Sequence, residues 1–157
     1  VKWIELSDSV VRAILDGRKT VMRQVIRPQP DWVEPEPTFD EEGRLVWCDF
    51  VYDRPVGDLR SCCYGDLGDK LGVEARGRMR RELYTMVEIT GICVERVQSI
   101  TEQDVLAEGH ELREWTGHPE WPRTAAFAEA WDKDNFKSGY RWEDNPWVWV
   151  IQFLRDI

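Results

Sequence analysis

The residues best placed to do chemistry lie in Gly17-Arg18-Lys19-Thr20-Val21-Met22-Arg23-Gln24, where a short helical pattern stops and an alternating one begins. Gly17 suits the left-handed position just past a helix end. Beyond it, Thr20, Met22, Gln24 and Ile26 point one way along an extended run, and Val21, Arg23 and Val25 the other. Lys19 therefore sits at a helix-to-strand junction, where a long cationic side chain reaches over a cleft. A cation there can hold a phosphate or a polar base edge. A desolvated amine can instead take a proton from a nearby hydroxyl while a carboxylate shuttles protons. Taken as an arbitrary basic tripeptide, Arg18-Lys19-Thr20 reads more simply as a solvated turn.

Other reactive residue types are less promising. Cys48, Cys62, Cys63 and Cys93 lack the paired spacing of a zinc site, and adjacent Cys62 and Cys63 are poor disulfide partners. They read as reduced thiols, more in keeping with packing than with ligation, and imply a cytoplasmic protein. His110 and His118 are separated by a segment that contains Gly117 and do not share a helix face, so no metal site is expected, and no cofactor. Arg76, Arg78, Arg80 and Arg81 form the densest basic run. It reads as a solvated loop, with a phosphate contact beside the cleft as the functional alternative.

The bounds are narrow. At 157 residues, 42% hydrophobic and 32% charged, the chain suits one domain with a real core. No apolar run is long enough to span a bilayer, and no signal peptide is visible. The net charge of -9 argues against gripping a long nucleic-acid backbone, since that affinity comes mainly from Lys and Arg on phosphates. A local basic cleft for one or a few nucleotides remains compatible. The 9 tryptophans are first of all a packing signal, with some available as stacking surfaces.

The elements that must position Lys19 follow in order. Lys2 to Leu6 alternates as an opening strand. Asp8 to Asp16 is helical, with Val10, Val11, Ile14 and Leu15 on one face and Ser7 or Asp8 as cap. Arg27 to Thr38 carries Pro28, Pro30, Pro35 and Pro37 and reads as a surface loop. Gly43 to Asp53 is an inserted strand. Gly65 and Gly68 make a tight turn into a strand from Lys70 to Val73. In Leu83 to Val97 the alternation of Leu83, Thr85, Val87 and Ile89 is interrupted at Gly91 and resumes at Ile92, which predicts a bulge. Thr101 caps a short helix, Glu102 to Glu108, ended by Gly109. Thr124 to Asp132 is helical, with Phe127 and Trp131 on one side. Pro146 to Leu154, apolar on both faces, is a central strand.

Three separated stretches, "VRAILDGRKTVMRQVIRPQP", "VERVQSITEQDVLAEG" and "NPWVWVIQF", resemble in order the ASCH-domain proteins of the PUA-like superfamily, in particular the phage and prophage type. "CYGDLGDKLGV" resembles a further family segment, in which relatives commonly carry Trp at the position of Gly72. The family signature Gly-x-Lys-x-x-Thr-x-Arg is matched at Gly17 and Lys19, while Met22 stands at its Thr and Gln24 at its Arg. The resemblance implies an α+β fold: a PUA-like, small, mostly antiparallel β-barrel with two or three packed helices. It also implies a single ASCH domain over 1–157, with inserted loops at about 27–62 and 110–145.

The same resemblance implies two classes of function. One is a module binding RNA, single-stranded nucleic acid or a modified nucleoside. Its cleft would have a cationic floor of Arg18, Lys19 and Arg23, an aromatic wall including Tyr64, and polar edges from Gln24 and Glu108, with Thr20 and Met22 beside them. The other is an amidohydrolase on acetylated cytidine, whose Lys, Thr and Glu fall on Lys19, Met22 and Glu108. A thioether has no proton to lose, so binding ranks above catalysis, and Met22→Thr is expected to restore activity. A third class is a phage accessory protein whose arm around Trp47 is exposed for a protein partner.

Overall fold

The computed structural model describes residues 1–76, 83–109 and 123–155. The histidines and most of the arginine run fall outside these residues; only Arg76 of that run is described, and it is exposed. Among the described residues, eight strands and three α-helices follow in chain order: β1 Lys2–Leu6, α1 Asp8–Leu15, β2 Val21–Val25, β3 Glu36–Phe39, β4 Leu45–Val51, β5 Arg54–Ser61, β6 Lys70–Ala75, β7 Tyr84–Arg96, α2 Glu102–Ala107, α3 Arg123–Asn135 and β8 Trp147–Arg155. The main sheet has five strands in the order β1-β6-β7-β8-β2. It is a curled, open half-barrel with helices packed on it, an α+β architecture. All its pairings are antiparallel except β1 with β6.

The sheet buries both faces of β8 from Trp147 to Ile151, as the apolar sequence predicts; beyond that Gln152 and Leu154 are exposed. Trp147, Trp149, Ile151 and Phe153 join the inner cluster with Leu71, Val73, Val87 and Ile89. Val148 and Val150 face outward, under Val97, Val105, Phe127 and Trp131 of the α2 and α3 region. The bulge predicted near Gly91 is present: Ile89 pairs with Phe153 and Gly91 with Gln152, leaving Thr90 as the extra residue. Its effect is on facing. Tyr84, Met86 and Glu88 point outward before it, and Cys93 and Glu95 point outward after it. A side chain at Gly91 would meet Gln152, its Cβ 2.5 Å from Oε1.

The segment after β2 differs from the expected loop. Glu36–Phe39 pairs with β4, and β4 with β5, making a separate three-stranded sheet. Pro37 is tolerated because β3 is an edge strand, where a missing N–H breaks no inner ladder. Tyr52 and Asp53 close the β4–β5 hairpin with φ of 48° and 64°. Trp47, expected on the exposed arm, is instead 9% exposed and part of the inner cluster. Trp32 joins it there, edge-on to Trp147 and Trp149, and its indole N–H donates to the Asp58 carbonyl at 2.8 Å. The arm is thus pinned to the half-barrel by two tryptophans, whose large apolar surfaces outweigh the neighbouring charges.

Candidate functional site

The alternation of β2 decides which side chains meet. Val21, Arg23 and Val25 lie opposite Gln152, Val150 and Val148, on the outer face under α2. Met22 lies opposite Ile151, on the inner face, and is 1% exposed. Lys19 precedes the strand and makes an isolated antiparallel bridge to Glu108, which puts it on the same side as Arg23.

Helix α2 brings the carboxylates. Thr101 and Asp104 form a reciprocal capping box: Asp104 N–H donates to Thr101 Oγ1 at 3.1 Å and Thr101 N–H to Asp104 Oδ2 at 3.0 Å. One turn on, Glu108 is the C-cap, and Gly109 takes a φ of 97° that lets the chain leave the helix. Positions 104 and 108 share one helix face.

These residues make one buried network. Lys19 Nζ donates to Glu108 Oε2, and to the Glu108 carbonyl at 3.2 Å. Arg23 Nη1 donates to Glu108 Oε1 at 3.0 Å. Its Nη2 donates to Glu95 Oε1 at 2.7 Å and to Asp104 Oδ2 at 3.3 Å, and its Nε also reaches Glu95 at 3.3 Å. Both Glu108 oxygens and all three Arg23 nitrogens therefore have partners. The side chains of Lys19, Arg23 and Glu108 are 7%, 2% and 5% exposed, while Glu95 and Asp104 form a rim at 27% and 39%. Burial works against the Arg23 charge, but Glu108 and Glu95 outweigh it and hold its pKa above the ordinary value. Burial, then Glu95, pushes the neighbouring Cys93 thiol up.

The basic tripeptide also has a structural task. Thr20 N–H donates to the Ala107 carbonyl at 2.8 Å, Lys19 to that of Glu108, and Arg18 Nη1 to that of Gly109 at 3.3 Å. Together they satisfy the orphan carbonyls at the end of α2, where cations are also favoured by the helix dipole. The solvated-turn reading of this segment does not hold.

Of the residues singled out from sequence, Lys19, Arg18, Arg23 and Glu108 are brought together here. Thr20 contributes its backbone, with its side chain exposed. Gln24 lies half-buried opposite Trp149 on the inner side. Tyr64 packs half-buried against the inner cluster, where burial raises its hydroxyl pKa to about 12. Glu95 and Asp104 were not singled out. The signal for Asp104 was its place one turn before Glu108; for Glu95 it was the parity change at Gly91. Among the described residues, no group of three or more His, Cys, Asp and Glu could hold a metal ion.

No family model matches the sequence, and no curated protein matches it significantly. Among solved structures, the chain is similar to the ASCH domain from Lactobacillus crispatus JV V101, with a TM-score of 0.52 and 10% identity over 98% of this chain and 78% of that one. Protein EF3133 from Enterococcus faecalis V583, of family DUF984, aligns with a TM-score of 0.46 and 9% identity over 99% and 76% of the two chains. The fold is the ASCH, PUA-like α+β half-barrel.

Proposed function

We propose that the chain is a phage-type ASCH binding module that recognises a nucleoside or a short single-stranded nucleic acid at the Lys19–Glu108 pair. The observation that carries this reading is the burial of opposite charges at one point, where β2 enters the sheet and α2 ends. Burying a charge costs several kcal/mol even after relaxation, and hydrophobic residues of similar volume would serve stability at least as well. Buried charged groups paired in this way concentrate at functional sites.

The charge balance narrows the ligand. Lys19 and Arg23 face Glu95, Asp104 and Glu108, so the network carries more negative than positive groups. A phosphate chain gains little from it, whereas a base edge bearing an amino group finds carboxylate acceptors at the rim. Arg18, half-buried beside Gly109 and paired with Asp16, is the cation we assign to a single phosphate. The amidohydrolase reading is disfavoured because, among the described residues, the hydrogen bonds of the Lys19 amine go to Glu108 and none goes to a hydroxyl. A Thr at position 22 would put its hydroxyl among Ile151 and its neighbours on the inner face, so Met22→Thr alone is now expected to give no activity.

The test is a titration of isotope-labelled protein with cytidine, adenosine, a short oligonucleotide and a duplex, followed by amide shifts. Shifts at Arg18, Asp104 and Glu108 with nucleoside or single strand, diminished in Asp104→Asn, are expected. Tight duplex binding at physiological salt, or shifts that avoid this cluster, would overturn the reading.

A further inference from the structure

The outer face of the main sheet is covered on one side only. Helices α2 and α3 pack over β2, β8 and the second half of β7. Over β1, β6 and the first half of β7, the outward residues run in register: Glu5 beside Glu74 beside Tyr84, then Trp3 beside Gly72 beside Met86, then Lys70 beside Glu88. Trp3 and Tyr84 remain 49% and 56% exposed there.

Trp3 is held, not loose. A Cβ on Gly72 would lie 2.3 Å from the Trp3 ring, so the indole rests directly on the backbone of β6. Its ring meets that of Tyr84 at a centroid distance of 6.4 Å and an angle of 60°. A glycine in mid-strand weakens a sheet, and here its space is filled by a neighbouring ring that still presents surface to solvent. Half-exposed aromatics fixed in this way make a binding platform, and the remaining question is for what.

The charges around them answer it. Among the described residues, Glu5, Glu74 and Glu88 share the face with Lys70, whose ammonium lies 3.3 Å from Glu88, and exposed Arg76 follows at the end of β6. Bases could stack on the rings, but the phosphates between them would be driven against these carboxylates and the net charge of -9. A cation is attracted twice, by the carboxylates and by the negative faces of the rings. Guanidinium suits both, since it stacks on aromatics and forks onto carboxylates. We propose that this face docks an arginine-bearing, basic segment of a partner protein, with guanidinium over Trp3 and Tyr84 and bonded to Glu5 or Glu74.

The experiment is a titration of the labelled protein with a peptide of alternating arginine and glycine at physiological salt, with a short oligonucleotide in parallel. Shifts at the Trp3 indole, the Gly72 amide and Tyr84 are expected with the peptide. Trp3→Ala and Tyr84→Ala should each weaken binding about fivefold. Glu5→Gln with Glu74→Gln should weaken it further, whereas the equal charge change Glu41→Gln with Glu129→Gln, at exposed sites elsewhere, should leave it unchanged. Melting temperatures identify any variant that loses its fold, and the charge-only variants then decide. Equal weakening by the two charge pairs would reduce the effect to general attraction for a polycation and overturn the proposal. So would shifts at Trp3 produced by the oligonucleotide and not by the peptide.

Discussion

The two halves of β7 face the same side of one sheet and have opposite fates. After the bulge, Cys93 and Glu95 point outward beneath α2, into a place where every charge has a partner. Before it, Tyr84 and Glu88 point outward beside Trp3 and remain in solvent. The strand is continuous, so the difference comes from what crosses it. Over the second half, α2 brings apolar Val105 together with Asp104 and Glu108, and buries the Glu108 carboxylate with the hydrocarbon while Asp104 stays at the rim. Charge buried in this way has to be matched on the spot, which Lys19 and Arg23 do. Over the first half, carboxylates stay hydrated, and aromatic area is left unused. A closed polar cluster and an open aromatic one are two uses of the same sheet surface.

Breaking the closed cluster should have the largest effect. Glu108→Gln leaves Lys19 and Arg23 buried with less than their matching charge, and is expected to lower stability by about 3–5 kcal/mol. Adding Lys19→Met should recover part of the loss, because the double variant removes one unmatched charge. Urea unfolding of the single and double variants measures this, and contacting residues typically couple by about 0.5–3 kcal/mol in such a cycle. Additive losses would mean that the network is a loose association of surface groups.

How far this contrast was legible in the sequence depends on the kind of information. Parity was legible: the alternation through Thr85, Val87 and Ile89, broken at Gly91 and resumed at Ile92, contains the bulge and both facings. So was the capped helix Thr101 to Gly109, because capping is local chemistry. The meeting of Lys19 with Glu108, 89 residues apart, came only from resemblance to a family, since no local rule couples them. Arg23 was expected in the cationic floor, but its role as the hub was missed for a related reason. Matching a motif placed the critical arginine at Gln24, while the pleat of the strand puts Gln24 inside and Arg23 beside the carboxylates. The arm was the least legible part. Pro37, Pro55 and Gly57 argue against strands, and only edge position makes them acceptable. Position in a sheet is a property of the whole fold.

The next effect is smaller and depends on pH. Glu102 accepts backbone N–H bonds from Arg123 at 2.9 Å and Thr124 at 3.2 Å, and so ties the start of α3 to α2. Desolvation pushes its pKa up, but those bonds outweigh it and the pKa lies below the ordinary value. A lowered folded-state pKa gives stability that is present above the unfolded pKa, about 4.3, and is lost as pH falls through the folded one. The cover over the second half of β7 should therefore loosen on acidification below about pH 4. Glu102→Gln should be less stable near neutrality and converge with the parent at low pH, as followed by thermal melts across that range. Parallel curves would show that other groups tie α3 down.

The smallest change is expected in the open half. Tyr84 is 56% exposed, and its ring meets that of Trp3 at a centroid distance of 6.4 Å. Cross-strand aromatic contacts contribute about 0.2–1 kcal/mol, and among the described residues no hydrogen bond or ion pair depends on this side chain. Tyr84→Ala should therefore change stability by about 1 kcal/mol or less, several times below the loss expected for Glu108→Gln, although Tyr84 lies on the sheet face over which α2 carries Glu108. Urea unfolding of the two variants under one set of conditions makes the comparison direct. A loss above about 2 kcal/mol for Tyr84→Ala would mean that the ring is packed in the folded protein and that this half of the face is also covered. In that event Trp3 and Tyr84 are core residues at the sheet's margin, and no surface remains there for a partner to bind.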